Sequence, residues 1–147
     1  MKKALLMIVF ATAATTISYA QEFKVITVVE SIVPGGLGRS RMIENKDELD
    51  INSFTTERTD GKKSAQKDVD RKDAKIDNFA ESKLLNFYSI AGINFQNIAS
   101  NDALISSKLN QMAEEGWTLA FVTSGVESDS GKGDGNGLFI TRFIFKK

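Results

Sequence analysis

Two segments near the ends of the chain, 23–30 and 138–145, are apolar on both of the faces that an extended strand would present. The first reads Phe-Lys-Val-Ile-Thr-Val-Val-Glu and the second Leu-Phe-Ile-Thr-Arg-Phe-Ile-Phe. Aromatic and β-branched residues favour strands, and a strand that is apolar on both faces needs cover on both. We therefore expect the first segment to be a central strand. The second is either central or covered on one face by a partner subunit.

The pattern between these segments predicts further strands and one helix. Residues 39–43 form a short strand antiparallel to the first, after a turn at 34–38 that contains the only proline and three glycines. Residues 84–90 predict another strand, and the alternating pattern of 92–98 predicts a second extended piece.

The clearest helix is predicted from about Asp102 to Glu115. Ser100 or Asn101 is suited to cap its first amides, and Gly116 stands where a left-handed residue ends a helix. A strand follows at 117–123 with large apolar side chains at alternate positions, and then a glycine-rich loop at 124–137.

Charged and small polar residues dominate the segment from 44 to about 83, so we expect no core there. Apolar residues from Ala65 to Leu84 are spaced by three and four, which permits a thin amphipathic helix from about Ser64. A solvated insertion is the alternative. The expected fold is therefore α+β: an antiparallel sheet of four to five strands, one main helix packed on one face, and a long polar insertion at about 44–83.

The first twenty residues have the pattern of a secretory signal peptide. Lys2 and Lys3 precede an apolar run of fourteen residues and the small-residue pattern Ser18-Tyr19-Ala20. The run is shorter than the roughly 20 residues of a membrane-spanning helix. We expect cleavage after Ala20, a single domain at 21–147 that does not insert into the membrane, and a periplasmic or secreted location.

Composition excludes several classes of function. The chain has no cysteine and no histidine, which rules out zinc–cysteine clusters, disulfides, thiol nucleophiles and imidazole bases. We expect no cofactor and no metal. Cleavage would remove two of the 19 basic residues and none of the 19 acidic ones, leaving a net charge of −2. This balance does not favour nucleic acid as a partner.

The segment Leu109-Asn110-Gln111-Met112-Ala113-Glu114-Glu115-Gly116-Trp117, followed by a closing strand Ile140-Thr141-Arg142-Phe143, resembles small bacterial domains of unknown function. Their helix–strand signature is L-N-x(5)-G-W-E-L, and their first strand is similar to Glu22-Phe23-Lys24-Val25. The signature has Glu where Thr118 stands here. The resemblance implies a small α+β fold and carries no functional residues across. Gln21 and the Pro-Gly-Gly-Leu-Gly-Arg-Ser-Arg segment also resemble exported proteins of Bacteroidota.

Two loops and the carboxylates are the candidates for chemistry. Backbone amides of the 35–38 turn, with Arg39, Ser40 and Arg41, are candidates for binding a small anion, although a hairpin with arginines in cross-strand pairs is the structural alternative. The loop Asp129–Gly137 lacks the ligand spacing of a calcium loop. A carboxylate-based hydrolase would need two acids at a cleft, and Glu30 with Arg142 is expected to form an ion pair instead. No catalytic residue is therefore assigned.

Exposed apolar surface is the remaining candidate for function. One helix covers one face of a sheet, so the insertion, another subunit or a ligand must lie on the other face if that face is also apolar. The candidate interaction residues are Trp117, Phe139, Phe143 and Phe145. We therefore expect a non-catalytic interaction or assembly domain that binds itself or a protein partner. Anion binding through Arg39 and Arg41 is the alternative function, and a hydrolase is the third.

Overall fold

A computed structural model describes residues 20–33, 39–127 and 137–147. Its elements are seven strands, one α-helix and two short 3₁₀ helices at Ile51–Phe54 and Gln66–Asp68. In chain order the strands are β1 (Phe23–Ser31), β2 (Arg41–Asn45), β3 (Phe79–Lys83), β4 (Tyr88–Ser89), β5 (Gly92–Ile93), β6 (Thr118–Glu127) and β7 (Leu138–Lys146), and the helix α1 (Phe95–Glu114) lies between β5 and β6.

Five strands form one antiparallel sheet in the order β3-β2-β1-β7-β6, and β4 with β5 forms a separate small hairpin. The expected α+β fold is confirmed. β1 is the middle strand and β7 lies between β1 and β6, so both segments with two apolar faces occupy interior positions. Their pairing runs from Phe23 opposite Lys146 to Ser31 opposite Leu138.

The helix α1 begins earlier than the sequence pattern indicated. Asn94 caps it, with its side chain accepting a 3.1 Å hydrogen bond from the amide of Asn97. The alternation at 92–98, which predicted an extended piece, belongs to a strand only through Ile93. Asn101 does not cap the helix but lies within it. The predicted end is confirmed, because Gly116 follows the helix with a φ of +85°.

The core lies between α1 and one face of the sheet. It consists of buried side chains from β1, β2, β7, the helix and the segment after β3: Ile26, Val28, Met42, Leu84, Met112 and Phe145. Ile105, Leu109, Trp117 and Phe143 pack around it. Because β1 side chains alternate between the faces, its even-numbered residues point toward the helix. The odd-numbered residues of β1 point away from it.

The charged segment contains no α-helix in its described residues, so of the two interpretations the amphipathic helix from Ser64 is wrong. Neither 3₁₀ helix has a buried residue. The end of the segment, 79–83, is strand β3, paired with β2. The short apolar stripe could not bury enough surface to hold a helix on the domain, whereas β2 offered a free edge for hydrogen bonding.

Strand β6 is longer than predicted and is irregular near its start. It continues through Glu127, so Ser124–Glu127 belongs to the strand and not to the loop. A bulge between Leu119 and Phe121 breaks the alternation, since Leu119 faces Phe145 and Phe121 faces Ile144 on the other side of the sheet. The expectation that these two side chains share a face was therefore wrong.

Across the described ranges, no helix combines the length and the apolar character needed to cross a membrane.

Candidate interaction surface

The sheet face away from α1 is uncovered by any helix or strand in the described part of the chain. We call this surface the open face. Its members come from all five strands and include Val25, Thr27, Val29, Arg41, Ile43, Phe79, Glu81, Phe121, Thr123, Gly125, Ile140, Arg142 and Ile144. None of them is buried, and Val25, in the central strand, is 42% exposed. The charged segment, one of the three expected forms of cover, does not bury this face, although residues 45–48 line a depression together with Phe23 and Val25.

The open face is divided between apolar and polar side chains. Arg41 and Glu81 form a 2.7 Å ion pair on its β2–β3 side. Ile140 and Ile144 of β7 lie on either side of Arg142, which is exposed. The apolar side chains of this face are therefore concentrated on the central strands β1 and β7, while β6 adds the exposed ring of Phe121 beside polar residues and Gly125.

The two edges of the sheet differ in length and in charge. Strand β3 has five residues and presents Glu81 and Lys83, the kind of charge that discourages pairing with another strand. Strand β6 has ten residues, all exposed, with no proline and no charge before Glu127. Leu119, Val122 and Val126 are exposed on its helix side, and Phe121 on the open face. Edge β6 is thus the less protected of the two.

Phe121 and Gly125 form a projection and a hollow on the same strand and the same face. The Phe121 side chain is 61% exposed. A Cβ atom added at Gly125 would meet no atom within 4 Å. A shallow depression of about 460 Å³ lies around Gly125, and Thr123, Ile140 and Arg142 contribute to its lining. The sequence interpretation missed Gly125 because it ended the strand at 123, and it grouped Phe121 with Trp117 and Leu119 because the pattern did not reveal the bulge.

The predicted interaction residues mostly serve the core. Phe145 is 2% exposed, and Phe143 and Trp117 pack against the same cluster. Lys24 and Lys147 each place an ammonium group 5.7 Å from the ring centre of Trp117. Phe139 is exposed and contacts Phe87 with ring centres 6.0 Å apart. Of the four candidates, only Phe139 is exposed, at 39%.

The candidate anion-binding residues are placed at the start of β2. The buried Ser40 hydroxyl accepts a 2.9 Å hydrogen bond from the Ser31 amide and donates a 2.7 Å bond to Asn86. Arg41 forms an ion pair with Glu81 on the neighbouring strand. This is the cross-strand pairing that was expected as the alternative to an anion site. The glycine turn at 34–38 lies outside the described residues. An anion site here remains a prediction, and Ser40 already has a structural role.

Glu30 and Arg142 do not form the expected ion pair. The strand register places Glu30 opposite Phe139 and Arg142 opposite Thr27, which puts the two side chains on opposite faces. Glu30 instead accepts a 2.8 Å hydrogen bond from Asn101, a residue with no exposed surface. Burial raises the pKa of Glu30, and the nearby charge of Asp102 adds to this rise, whereas the hydrogen bond from Asn101 opposes it.

Glu44 is surrounded by three lysines on the helix side of the sheet. Its carboxylate lies 2.7 Å from the ammonium groups of Lys24 and Lys108 and 2.8 Å from that of Lys46. Burial alone would raise the pKa of Glu44, but the three hydrogen bonds outweigh it and lower this pKa to about 2. The carboxylate is ionised at neutral pH and has the properties of a structural anchor, not of an acid catalyst.

The described residues contain no cluster of three or more acidic side chains that could hold a metal ion. Residues 128–136, which include most of the loop compared with calcium sites, lie outside the described ranges. The exposed apolar side chains of the described sheet lie on the open face and along edge β6.

Comparison with protein-family models, with curated proteins and with solved structures found no significant match. The resemblance to small bacterial domains with the L-N-x(5)-G-W-E-L signature remains a prediction.

Proposed function

We propose that this protein is exported and acts as a non-catalytic assembly domain that binds a second copy of itself through its sheet. The observation that carries the proposal is the exposure of edge β6 and of the apolar part of the open face beside it. Monomeric proteins seldom leave a long edge strand without charge, proline or cover. An uncovered apolar sheet surface is a typical place for a protein partner.

Three further features support an assembly role over catalysis. The chain has neither histidine nor cysteine. The carboxylate with the most strongly lowered pKa, Glu44, is bound by three lysines inside the structure. The third feature is the near-neutral charge of the mature chain, which would cause little repulsion between two copies. The proposed export is supported separately by the signal-peptide pattern of residues 1–20.

The test is the mass of the mature chain, residues 21–147, which contains every described helix and strand. Light scattering at tens of micromolar should give a mass above that of the monomer, which falls as the protein is diluted. A monomer at all these concentrations would contradict the proposal.

A pair of variants locates the contact if the protein associates. Val25→Lys places a charge at the centre of the open face, and Ile51→Lys places one on the exposed first 3₁₀ helix. If association buries the centre of the open face, Val25→Lys alone lowers the mass. If association uses edge β6, both variants keep the mass of the unmodified protein. Equal loss in both variants would contradict association through the sheet.

A further inference from the structure

We infer that two copies pair through β6, strand against antiparallel strand, around a two-fold axis at Thr123. The inference rests on the proposed function and adds the contact and its register. Strand β7 occupies one side of β6, so the backbone groups directed to the other side have no strand partner in the described chain. Two antiparallel copies of such an edge supply donors and acceptors to each other and form one continuous sheet.

Side-chain direction restricts the possible registers. Residues directly opposite each other in an antiparallel pair point to the same face. After the bulge, the odd-numbered residues of β6 point to the open face and the even-numbered ones to the helix side. A symmetric register must therefore place a residue such as Val122, Thr123 or Ser124 opposite itself.

The register centred on Thr123 places the projection of each copy against the hollow of the other. Counting outward from Thr123, Phe121 faces Gly125 of the second copy, and Gly125 faces the second copy's Phe121. An aromatic ring opposite a glycine covers the bare backbone and packs on the neighbouring strand, here on Ile140. The Cβ position above Gly125 has no atom within 4 Å, so space is open on the side from which the ring would approach.

The ends of the paired strands are complementary in charge. In the same register, with the extra residue Ala120 of the bulge left out of the count, Glu127 faces Thr118 of the second copy. Thr118 is paired with Lys146 on the open face of its own sheet. Lys146 and the second copy's Glu127 would then lie two strands apart, about 10 Å between Cα atoms, which two long side chains can bridge. Two-fold symmetry provides this contact twice.

The neighbouring registers lose both features. In the register centred on Ser124, Phe121 would face Glu127 of the second copy, and Gly125 would face Thr123. In the register centred on Val122, Phe121 would face Thr123 of the second copy, and Gly125 would face Thr118. Each alternative leaves the glycine uncovered, and neither places Glu127 beside Thr118 and Lys146.

Single-cysteine variants of the mature chain test the register, because the protein has no cysteine of its own. In the inferred pair the two copies of residue 123 have Cα atoms about 5 Å apart, within the range that a disulfide spans. Thr123→Cys should therefore give a covalent dimer under mild oxidation. Thr118→Cys is the matched control, since the two copies of residue 118 lie at opposite ends of the paired strands.

The outcomes separate this inference from the proposed function. Fast cross-linking of Thr123→Cys with little for Thr118→Cys supports the register. Preferential cross-linking of Ser124→Cys or Val122→Cys would overturn it. An oligomer in which none of these variants cross-links would overturn pairing through β6 while the assembly function stands. A mature chain that is monomeric throughout would overturn both.

Discussion

Glu44 on β2 and Lys108 on α1 form a 2.7 Å ion pair that joins the helix to the sheet beside the core. The Lys108 side chain is only 14% exposed, so water cannot fully replace the carboxylate. Lys24 and Lys46 share the same carboxylate from the sheet side. The cluster therefore helps to fix the position of α1, the only α-helix among the described residues, on the sheet.

Glu44→Gln should lower the free energy of unfolding by about 2 kcal/mol at neutral pH, because three ammonium groups lose their shared charged acceptor. The matched control is Glu81→Gln, which removes the exposed ion pair with Arg41 and should cost less than about 1 kcal/mol. Urea unfolding of both variants measures the difference. Equal losses would show that the Glu44 cluster contributes no more than a surface pair.

The same cluster gives a pH dependence with a defined sign. The pKa of Glu44 is about 2 in the folded protein and 4.5 as its ordinary value. A lowered folded-state pKa means that the contribution to stability is present above pH 4.5 and is lost as the pH falls toward 2. The stability difference between the unmodified protein and Glu44→Gln should therefore shrink over this range. A difference that is constant from pH 5 to pH 2 would contradict the assignment.

Asn101 fastens the segment after β3 to the helix. Its side chain donates to Leu85 O and to Glu30, and accepts from the Leu85 amide, each at 2.8 Å. Asn101→Ala should lower the free energy of unfolding by about 2 kcal/mol, since it leaves partly buried polar groups unpaired. Hydrogen exchange at the Leu85 amide should also accelerate.

The control for Asn101→Ala is Asn110→Ala, an exposed position on the same helix, where the change should stay within about 0.5 kcal/mol. If the two variants unfold alike and the Leu85 amide exchanges at an unchanged rate, Asn101 does not hold this segment.

Gly125→Val should change folding and association in opposite directions. A β-branched residue suits a strand better than glycine, and a Cβ at this position meets no atom within 4 Å, so the monomer should gain about 0.5 kcal/mol. The same side chain fills the hollow that receives Phe121, so association should weaken. Ser82→Val is the control, because it places the same residue at an exposed position of the opposite edge strand β3 and should leave association unchanged.

Unfolding of Gly125→Val at dilutions that favour the monomer, together with mass measurements at higher concentration, checks both directions. Gain of stability with unchanged mass would contradict the role of the hollow.

The hydrophobic pattern predicted the two interior strands correctly, but the strand expected at 84–90 was wrong, since only Tyr88–Ser89 is strand there. Strands β1 and β7 are apolar on both faces, and they occupy the interior of the sheet. Gly116 ends the helix because few other residues adopt its positive φ. Strand β3 was missed, since its sequence Phe-Ala-Glu-Ser-Lys has little apolar character and its conformation depends on pairing with β2.

The candidate site was harder to predict for a related reason. Whether Phe121 and Leu119 share a face depends on a bulge, which a repeating apolar pattern does not reveal. Gly125 reads as loop sequence until its neighbours on β7 are known. Trp117 and Phe145 look like candidate contacts in the sequence, but the helix places them in or against the core. Position in the sheet, not residue type, separated core from surface.

The most direct test of assembly through β6 compares two phenylalanines with almost the same exposure. Phe121 is 61% exposed and lies on edge β6, whereas Phe23 is 60% exposed and lies at the start of the central strand β1. The masses of the mature chain, Phe121→Ser and Phe23→Ser should be measured by light scattering over the same dilution series. We predict dimers for the mature chain and Phe23→Ser, and a dissociation constant for Phe121→Ser that is raised roughly tenfold or more. Equal masses for the two variants, or a monomeric mature chain, would contradict the account.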